Sequence, residues 1–161
     1  RGMSAVKGES AYDPYYMYSD APEGGKSISK WKSDIANNFA VRMDWSINSN
    51  YGSANHHPVA IVNGDTSRQV LEITASPGST VALNAADSYD PENNSLSYSW
   101  SYYSEPGTYG GSVSISNSSS SSASVLVPSN ASGKTLHIIL TVSDDGSPNL
   151  CAYRRLVINV K

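Results

Sequence analysis

Alternation of serine with large apolar residues over residues 95–102 limits the fold of this chain more than any other feature. The four residues that stand between the serines are Leu96, Tyr98, Trp100 and Tyr102. Successive side chains of a β-strand point to opposite faces of its sheet, so this pattern predicts a strand with one face in a core and the other in water. We therefore expect an antiparallel sheet whose core contains Trp100 and Tyr98.

Similar short runs continue to residue 160, separated by turn-forming residues such as Pro77 and Gly78. The runs occupy residues 58–62, 69–74, 80–85, 113–115, 123–127, 136–142 and 153–160. Seven or eight strands in about 105 residues predict an immunoglobulin-like antiparallel β-sandwich. The residues expected in its core include Leu83, Trp100, Leu140, Val142 and Ile158.

Residues 1–54 differ from the rest, because they are rich in Tyr, Trp, Asp and Gly and show no strand period. One amphipathic helix is predicted over residues 27–43, capped by Ser27 or Ser29, since apolar residues recur there at three- and four-residue steps. The residues of this apolar face are Ile28, Trp31, Ile35, Phe39 and Met43. Such a face needs a partner to pack on. Residues 12–18 are expected to form an irregular aromatic-rich loop.

About fifty residues with one helix cannot build a core of their own. We therefore predict a domain boundary near residue 55, following a small polar linker at residues 48–55. Residues 55–161 are then the sandwich domain, and residues 1–54 are the incomplete end of a larger domain together with the linker. No signal-peptide-like segment opens the sequence, which we interpret as a piece of a longer protein.

Charge and composition exclude several classes of function. The 161 residues carry a net charge of −3 without a basic cluster, which argues against a nucleic-acid partner. No apolar run approaches the roughly 18 residues that a membrane span needs. Cys151 is the single cysteine, so no internal disulfide can form, and its side chain is expected to be buried or half-buried. His137 is expected to be exposed on the outer face of a strand.

Two motifs resemble those of polycystic-kidney-disease-type repeats, which are extracellular β-sandwich modules. The first motif covers residues 87–100, with an Asp-Pro turn followed by a Leu-x-Tyr-x-Trp strand, and the second covers residues 140–146. Glu92, Asn93 and Asn94 depart from the acidic, glycine-containing turn of that family. The resemblance implies the same immunoglobulin-like fold for the second part of the chain.

A second resemblance involves both parts of the chain. Residues 1–6, 9–16, 39–45 and 55–58 resemble the junction in a bacterial family of cellulose-binding proteins, which join a nucleoside-hydrolase-like domain to a C-terminal sandwich. The resemblance implies an exported protein, whether secreted, periplasmic or on the cell surface, that acts around polysaccharide. It also implies that residues 1–54 end the hydrolase-like domain. The aspartate-rich calcium motif of such hydrolases would precede this sequence, so no catalytic residue is assigned here.

Acidic residues fall in two loops that a sandwich of this type brings to the same end. Converging oxygens of Asp87, Asp90, Asp144 and Asp145 could hold Ca²⁺, which takes six to eight oxygen ligands. The alternative is that Asp90 and Asp144 accept backbone N–H groups in Asx turns. We favour the turns and no metal or other cofactor, because the loops lack a regular string of alternating acidic ligands.

A long turn with aromatic residues is the candidate binding site. Tyr102, Tyr103 and Tyr109 surround this turn, and Glu105 lies within it. Flat rings pack on the apolar face of a sugar, and a carboxylate accepts hydrogen bonds from sugar hydroxyls. We predict that these four residues contact carbohydrate, with packing of the tyrosines as the open alternative.

The favoured function is a non-catalytic accessory domain of an exported bacterial protein that binds cellulose or another polysaccharide. The alternative is a structural domain that packs against, and orders, an upstream nucleoside-hydrolase-like domain of the same protein, because the apolar helix face must be covered. A third interpretation makes the parent protein a nucleoside or glycoside hydrolase, and this chain alone should then turn over no nucleoside.

Overall fold

The computed structural model describes residues 29–161 and, of the preceding residues, the strand pairing of residues 4–7 and 16–19. Ser4–Lys7 (β1) pairs antiparallel with Tyr16–Ser19 (β2). Part of the aromatic segment therefore lies in a strand, which its lack of alternation did not predict. Other residues of the N-terminal predictions lie outside the described residues: Tyr12, Tyr15, Ser27 and Ile28.

Residues 29–161 form a long helix, a short 3₁₀ turn at Tyr51–Ser53 and seven strands. The helix and strands, in order, are α1 (Lys32–Ile47), β3 (Leu71–Ala75), β4 (Thr80–Asn84), β5 (Ser97–Tyr102), β6 (Ser114–Ser116), β7 (Ser122–Leu126), β8 (Thr135–Ser143) and β9 (Cys151–Val160). One sheet has the strand order β3-β9-β8-β5 and the other β4-β7-β6. Every neighbouring pair is antiparallel except β3 with β9, which run parallel. The predicted immunoglobulin-like sandwich is confirmed.

The core lies between the two sheets and contains all the residues expected there. The buried residues include Leu83, Trp100, Leu140, Val142 and Ile158, with Tyr98 half-buried against them. Trp100 can be buried because its indole Nε1 donates to the carbonyl of Ser120 at 2.8 Å. Trp100 lies opposite Leu140, which leaves the serines of β5 exposed on the outer face of the four-stranded sheet.

The segment at residues 58–62, predicted as the opening strand, is not a regular strand. Val59 forms an isolated bridge with Tyr89, and Val62 forms one with Asp65. The pairing stays short because the chain turns at once through Asn63 and Gly64, which both have positive φ.

Helix α1 starts and ends later than the sequence predicted. Trp31 occupies the N-cap position, and its side chain makes no capping hydrogen bond. Ser29 lies two residues before that position and is therefore not the cap of this helix. No Pro or Gly interrupts residues 44–47, and the helix continues until Asn48, whose backbone N–H donates to the Asp44 carbonyl at 3.0 Å. Among the described residues, no helix is long and apolar enough to cross a membrane.

The helix packs on the sandwich through only part of its predicted apolar face. Ile35, Phe39 and Met43 are 55%, 64% and 48% exposed, whereas Val41 is buried. The contacts with the sandwich come from Trp31, whose ring meets that of Tyr153, and from polar side chains, as when Asn37 donates to the Asn149 carbonyl at 2.9 Å. Most of the predicted apolar face is therefore not covered by the sandwich. At the start of α1, the outer face of the sheet instead offers Cys151 and Tyr153, which both contact Asp34 of the helix.

Candidate functional site

A cleft of about 720 Å³ lies between helix α1 and the outer face of the four-stranded sheet. The start of α1 supplies one wall, the segment just before β3 supplies the other, and strands β8 and β9 form the floor. Side chains alternate across a strand, so every second residue of β9 reaches this outer face. The residues lining the cleft include Trp31, Asp34, Asn38, Arg68, Gln69, Ile139, Tyr153 and Arg155.

Two aromatic rings meet in the cleft. The edge of one ring faces the other, with the centroids of Trp31 and Tyr153 5.0 Å apart and an angle of 85° between their planes. The Tyr153 hydroxyl donates a hydrogen bond to Asp34 on α1. Burial, together with that hydrogen bond to a carboxylate, raises the pKa of Tyr153 well above its ordinary value. Tyr153 therefore stays protonated and fastens the helix to the sheet.

Cys151 lies beside this contact and is half-buried, as expected. Its thiol is 3.1 Å from the Ser143 hydroxyl and 3.7 Å from Asp34 Oδ1. Burial raises the pKa of the thiol, and the Asp34 carboxylate raises it further. A thiol with a raised pKa is a poor nucleophile, so Cys151 is a packing residue at neutral pH.

Three arginines border the cleft, and one of them is neutralised. Arg154 is buried, and its guanidinium lies 3.0 Å from Asp65 Oδ1. A hydrogen bond from Ser67 is the main reason that the pKa of Asp65 lies below its ordinary value, and Arg154 lowers that pKa further. Asp65 therefore stays ionised and holds Arg154 in place.

Arg155 is held by a histidine instead of a carboxylate. Its Nη2 and Nε atoms lie 2.6 and 3.1 Å from His137 Nδ1. His137 is only 6% exposed, which corrects the expectation of an exposed outer-face residue, because Arg155 covers it. Burial lowers the pKa of His137, and the adjacent guanidinium lowers it further. The neutral imidazole can therefore accept the hydrogen bond.

Two of the four predicted sugar-binding residues lie at the edge of this cleft. These residues are Tyr103 and Glu105, and Lys30 connects them to the cleft. The Lys30 Nζ is 2.9 Å from Glu105 Oε1 and 4.6 Å from the ring centroid of Tyr103. The same ammonium lies 5.6 Å from the ring centroid of Trp31. A hydrogen bond from Lys30 is the main cause that lowers the pKa of Glu105. Tyr103, Glu105 and Trp31 thus form one continuous surface around Lys30.

The other two predicted residues have a different environment. Tyr102 and Tyr109 are half-buried and pack against the sandwich core. The Tyr102 hydroxyl donates to the Tyr109 carbonyl at 2.6 Å, and the Tyr109 hydroxyl donates to Asn130 Oδ1 at 2.8 Å. These contacts fix the shape of the loop that carries Glu105.

The acidic loops make the hydrogen bonds expected of Asx turns. Asp90 Oδ1 accepts from the backbone N–H groups of Glu92 and Asn94, and Asp144 Oδ1 accepts from those of Gly146 and Leu150. Asp145 Oδ1 likewise accepts from the N–H of Ser95, and Asp87 is exposed. Within the part of the chain that the structure describes, no three His, Cys, Asp or Glu side chains form a set of metal ligands.

The segment around residue 55 connects the helix firmly to the sandwich. The His56 ring stacks on Tyr51 and on Trp45, with centroid distances of 3.6 and 5.2 Å, and its Nδ1 is 2.7 Å from Glu92 Oε1. Asn55 is buried beside it, and its carbonyl accepts from Trp45 Nε1 at 2.9 Å. The segment predicted as a linker therefore positions α1 over the cleft.

Sequence reasoning missed Trp31 and Tyr153 as a pair. The helical period predicts Trp31 on an apolar helix face, and the alternation in residues 153–160 predicts Tyr153 only as the start of the last strand. The one available sign was the alternation along β9, which places Tyr153 and Arg155 on the same outer face. No sequence pattern indicated that the start of α1 would lie over that face.

Comparisons with known proteins agree with this architecture. The chain is 54% identical to a nucleoside hydrolase-related hypothetical protein from Saccharophagus degradans, described as associated with carbohydrate metabolism. The match covers 99% of this chain and 40% of that protein, with a TM-score of 0.87, so the chain spans less than half the length of that relative.

Two further solved structures are more distant. The PKD domain of the KIAA 1837 protein is 28% identical, over 57% of this chain and 79% of that domain, with a TM-score of 0.41. Mouse cadherin-23 (repeats EC22–24) is 19% identical, over 66% of this chain and 33% of that protein, with a TM-score of 0.44. Among curated proteins, none matches the chain.

The family comparison covers the sandwich from its second strand onward. Residues 80–160, about half of the chain, match the family described as "Cellulose-binding protein Sde0182, C-terminal domain". That span contains the aromatic turn, both acidic loops and the whole of β9. The resemblance to bacterial cellulose-binding proteins is confirmed, and the chain belongs to the Sde0182 C-terminal domain family of cellulose-binding proteins.

Proposed function

We propose that this chain is a non-catalytic accessory unit of an exported bacterial protein and that it binds polysaccharide in the cleft beneath helix α1. The observation that supports this proposal is the pairing of Trp31 and Tyr153 in an open cleft of about 720 Å³. A volume of that size matches the range of small-molecule sites. The family name supplies the class of ligand.

The chemistry of the lining suits a sugar chain. Aromatic rings offer flat apolar surfaces to the C–H groups of a sugar. Asn38 and Gln69 supply amide donors and acceptors for hydroxyl groups, which lose their water on binding and need new partners. Tyr103 and Glu105 extend the same surface past Lys30, so a longer chain would reach them as a second contact point. Tyr102 and Tyr109 hold that second contact in place.

Binding measurements with aromatic variants test this proposal. We expect Trp31→Ala and Tyr153→Ala to weaken the affinity for cellohexaose about thirtyfold, because truncating an aromatic anchor costs about 2 kcal/mol. Tyr89→Ala is the matched control, since Tyr89 is an exposed tyrosine outside the cleft. Titration calorimetry and retention on insoluble cellulose give the affinities. Absence of binding by the unaltered chain to cellulose and to a panel of glycans would refute the function.

We propose a domain boundary at residue 55, with residues 55–161 as an independent sandwich. Every strand of the two packed sheets lies after that residue, and Asn55 itself is buried among loops of the sandwich. A chain trimmed to residues 55–161 should give a β-rich circular dichroism spectrum and unfold cooperatively. A helical spectrum, or aggregation without a cooperative transition, would contradict the boundary.

The exposed apolar face of α1 favours a second function, which is to pack against a nucleoside-hydrolase-like domain of the same protein. Ile35, Phe39 and Met43 lie in a row, and Ile47 extends it. Exposed apolar rows of this kind are typical of interaction surfaces. The hydrolase-related relative, of which this chain covers 40%, indicates the kind of domain that would cover the row.

Substitution of Phe39 tests this structural role. In this chain alone, Phe39→Asp should shift the melting temperature by about 2 °C or less, because substitutions at exposed positions change stability by about 0.5 kcal/mol or less. In the longer parent protein, the same substitution should lower the melting temperature of the hydrolase-like domain by several degrees. Tyr89→Asp is the control for an added surface charge. Equal melting temperatures of the Phe39→Asp and unaltered parent proteins would refute the packing role.

A further inference from the structure

The charges that line the cleft do not cancel. Arg154 is paired with Asp65, and Lys30 is paired with Glu105 at the edge. Among the described residues, no carboxylate lies within ion-pair distance of Arg68 or Arg155, although both border the cleft. The remaining acid in the lining is Asp34, which accepts the hydrogen bond from Tyr153. Two guanidinium groups therefore face one carboxylate.

The two unpaired arginines differ in how they are held. Arg155 is fixed on the floor by its hydrogen bonds to His137, which orients the guanidinium without neutralising it. Arg68 lies in the exposed segment before β3, on the wall opposite α1. One cation is thus fixed in advance, and the other can adjust to a ligand that enters between them.

From this arrangement we infer that the cleft selects glycans that carry carboxylate groups, such as polymers of hexuronic acid, over neutral glucans. The inference rests on the proposed polysaccharide binding and specifies its ligand. Guanidinium groups bind carboxylates through two parallel N–H···O bonds, which are roughly twice as strong as hydrogen bonds between neutral groups. The rings of Trp31 and Tyr153 would contact the sugar body while Arg68 and Arg155 take its carboxylate.

The negative net charge of the chain means that attraction to an acidic glycan must come from one patch of its surface. A chain with a net charge of −3 repels polyanions in general, so attraction to an acidic glycan must come from a particular patch. The patch is partly exposed, and salt screens charges of this kind over about 8 Å at physiological ionic strength. The preference for acidic glycans should therefore weaken as salt is added.

Comparison of two oligosaccharides tests the inference. We would titrate a galacturonate hexamer and cellohexaose into the chain at 50 and 500 mM NaCl. At low salt we expect the galacturonate hexamer to bind about tenfold more tightly, because one charge-assisted hydrogen-bonded pair contributes roughly that factor. In Arg68→Gln this ratio of affinities should fall severalfold, because Arg155 alone is left to take the carboxylate. Lys134→Gln removes an exposed positive charge outside the cleft and should leave the ratio unchanged.

The possible outcomes separate this inference from the proposed function. Equal affinities for the two hexamers, both lost in Trp31→Ala, would overturn the acidic preference and leave polysaccharide binding intact. Binding of neither hexamer would overturn both. A preference that falls equally in Arg68→Gln and Lys134→Gln would overturn the assignment to the cleft. A sulfated hexasaccharide that binds as tightly as the galacturonate hexamer would show charge attraction without carboxylate recognition, and would overturn the inference as well.

Discussion

Asn55 offers the sharpest test of how the helix-bearing segment is joined to the sandwich. Its side-chain Nδ2 donates to Asp144 Oδ2 at 3.1 Å and to the Pro148 carbonyl at 2.9 Å. Its Oδ1 accepts from Asn94 Nδ2 at 2.9 Å. The residue is 8% exposed, so water cannot replace these partners freely. Asn55→Ala therefore leaves a buried carboxylate oxygen, a carbonyl and an amide each short of one hydrogen bond.

The expected destabilisation follows from these three bonds. A hydrogen bond to a charged group contributes about 1.5–3 kcal/mol and a neutral one about 1 kcal/mol, so the loss of one charged and two neutral bonds should be about 3.5–5 kcal/mol. For a domain of this size that corresponds to a fall in melting temperature of roughly 10–20 °C. Asn55→Asp should be worse, because it places a second carboxylate against Asp144.

Urea unfolding followed by tryptophan fluorescence measures this loss. Asn159→Ala is the control, since Asn159 makes one 3.3 Å hydrogen bond to Glu72 on the exposed face and should cost about 0.5 kcal/mol or less. The predicted order of stability is Asn159→Ala, then Asn55→Ala, then Asn55→Asp. A free energy of unfolding for Asn55→Ala within 0.5 kcal/mol of the unaltered chain would refute the proposed network.

Four further predictions concern other parts of the molecule. Gly146→Ala should destabilise the chain by about 2 kcal/mol in the same assay, because a Cβ there would overlap the Asn55 side chain. Cys151 should react with a thiol reagent at pH 7 far more slowly than a free cysteine, as its raised pKa requires. His137 has a lowered pKa when folded, so its contribution to stability should be complete above its unfolded pKa of about 6.5 and be lost as the pH falls below it. Subtracting the stability profile of His137→Asn isolates this effect. Ca²⁺ or a chelator should leave the melting temperature unchanged, because Asp90 and Asp144 already accept backbone N–H groups.

The sandwich could be predicted because its pattern is local. In β5, exposure alternates from one residue to the next. Eight consecutive residues of the sequence are therefore enough to predict Trp100 and Tyr98 in the core. The same alternation predicts that the side chains of Leu140 and Val142 in β8 point into the core, where both are buried. The turns then set where each strand ends. The prediction at residues 58–62 was wrong because Pro58 and Gly64 lie close together on either side of this segment, and only isolated bridges form between them.

The cleft could not be predicted because its parts are far apart in sequence. Trp31 and Tyr153 come together only if the start of α1 docks on the outer face of β9. Apolar periodicity favoured the face with Phe39, whereas the sheet meets the helix through Tyr153, at Trp31 and Asp34, and leaves Phe39 exposed. Which side of an amphipathic helix is covered depends on the surface it meets, and the helix sequence does not contain that surface.

The parallel pairing of β3 with β9 has a mechanical consequence. Five residue pairs join the two strands, from Leu71 with Leu156 to Ala75 with Val160. Because the strands run in the same direction, the chain enters β3 at one end of the sandwich and leaves β9 at the other. Tension along the polypeptide would load all of the hydrogen bonds between these strands in shear at once. A unit anchored to a solid substrate at one end could then resist drag on the other without unzipping.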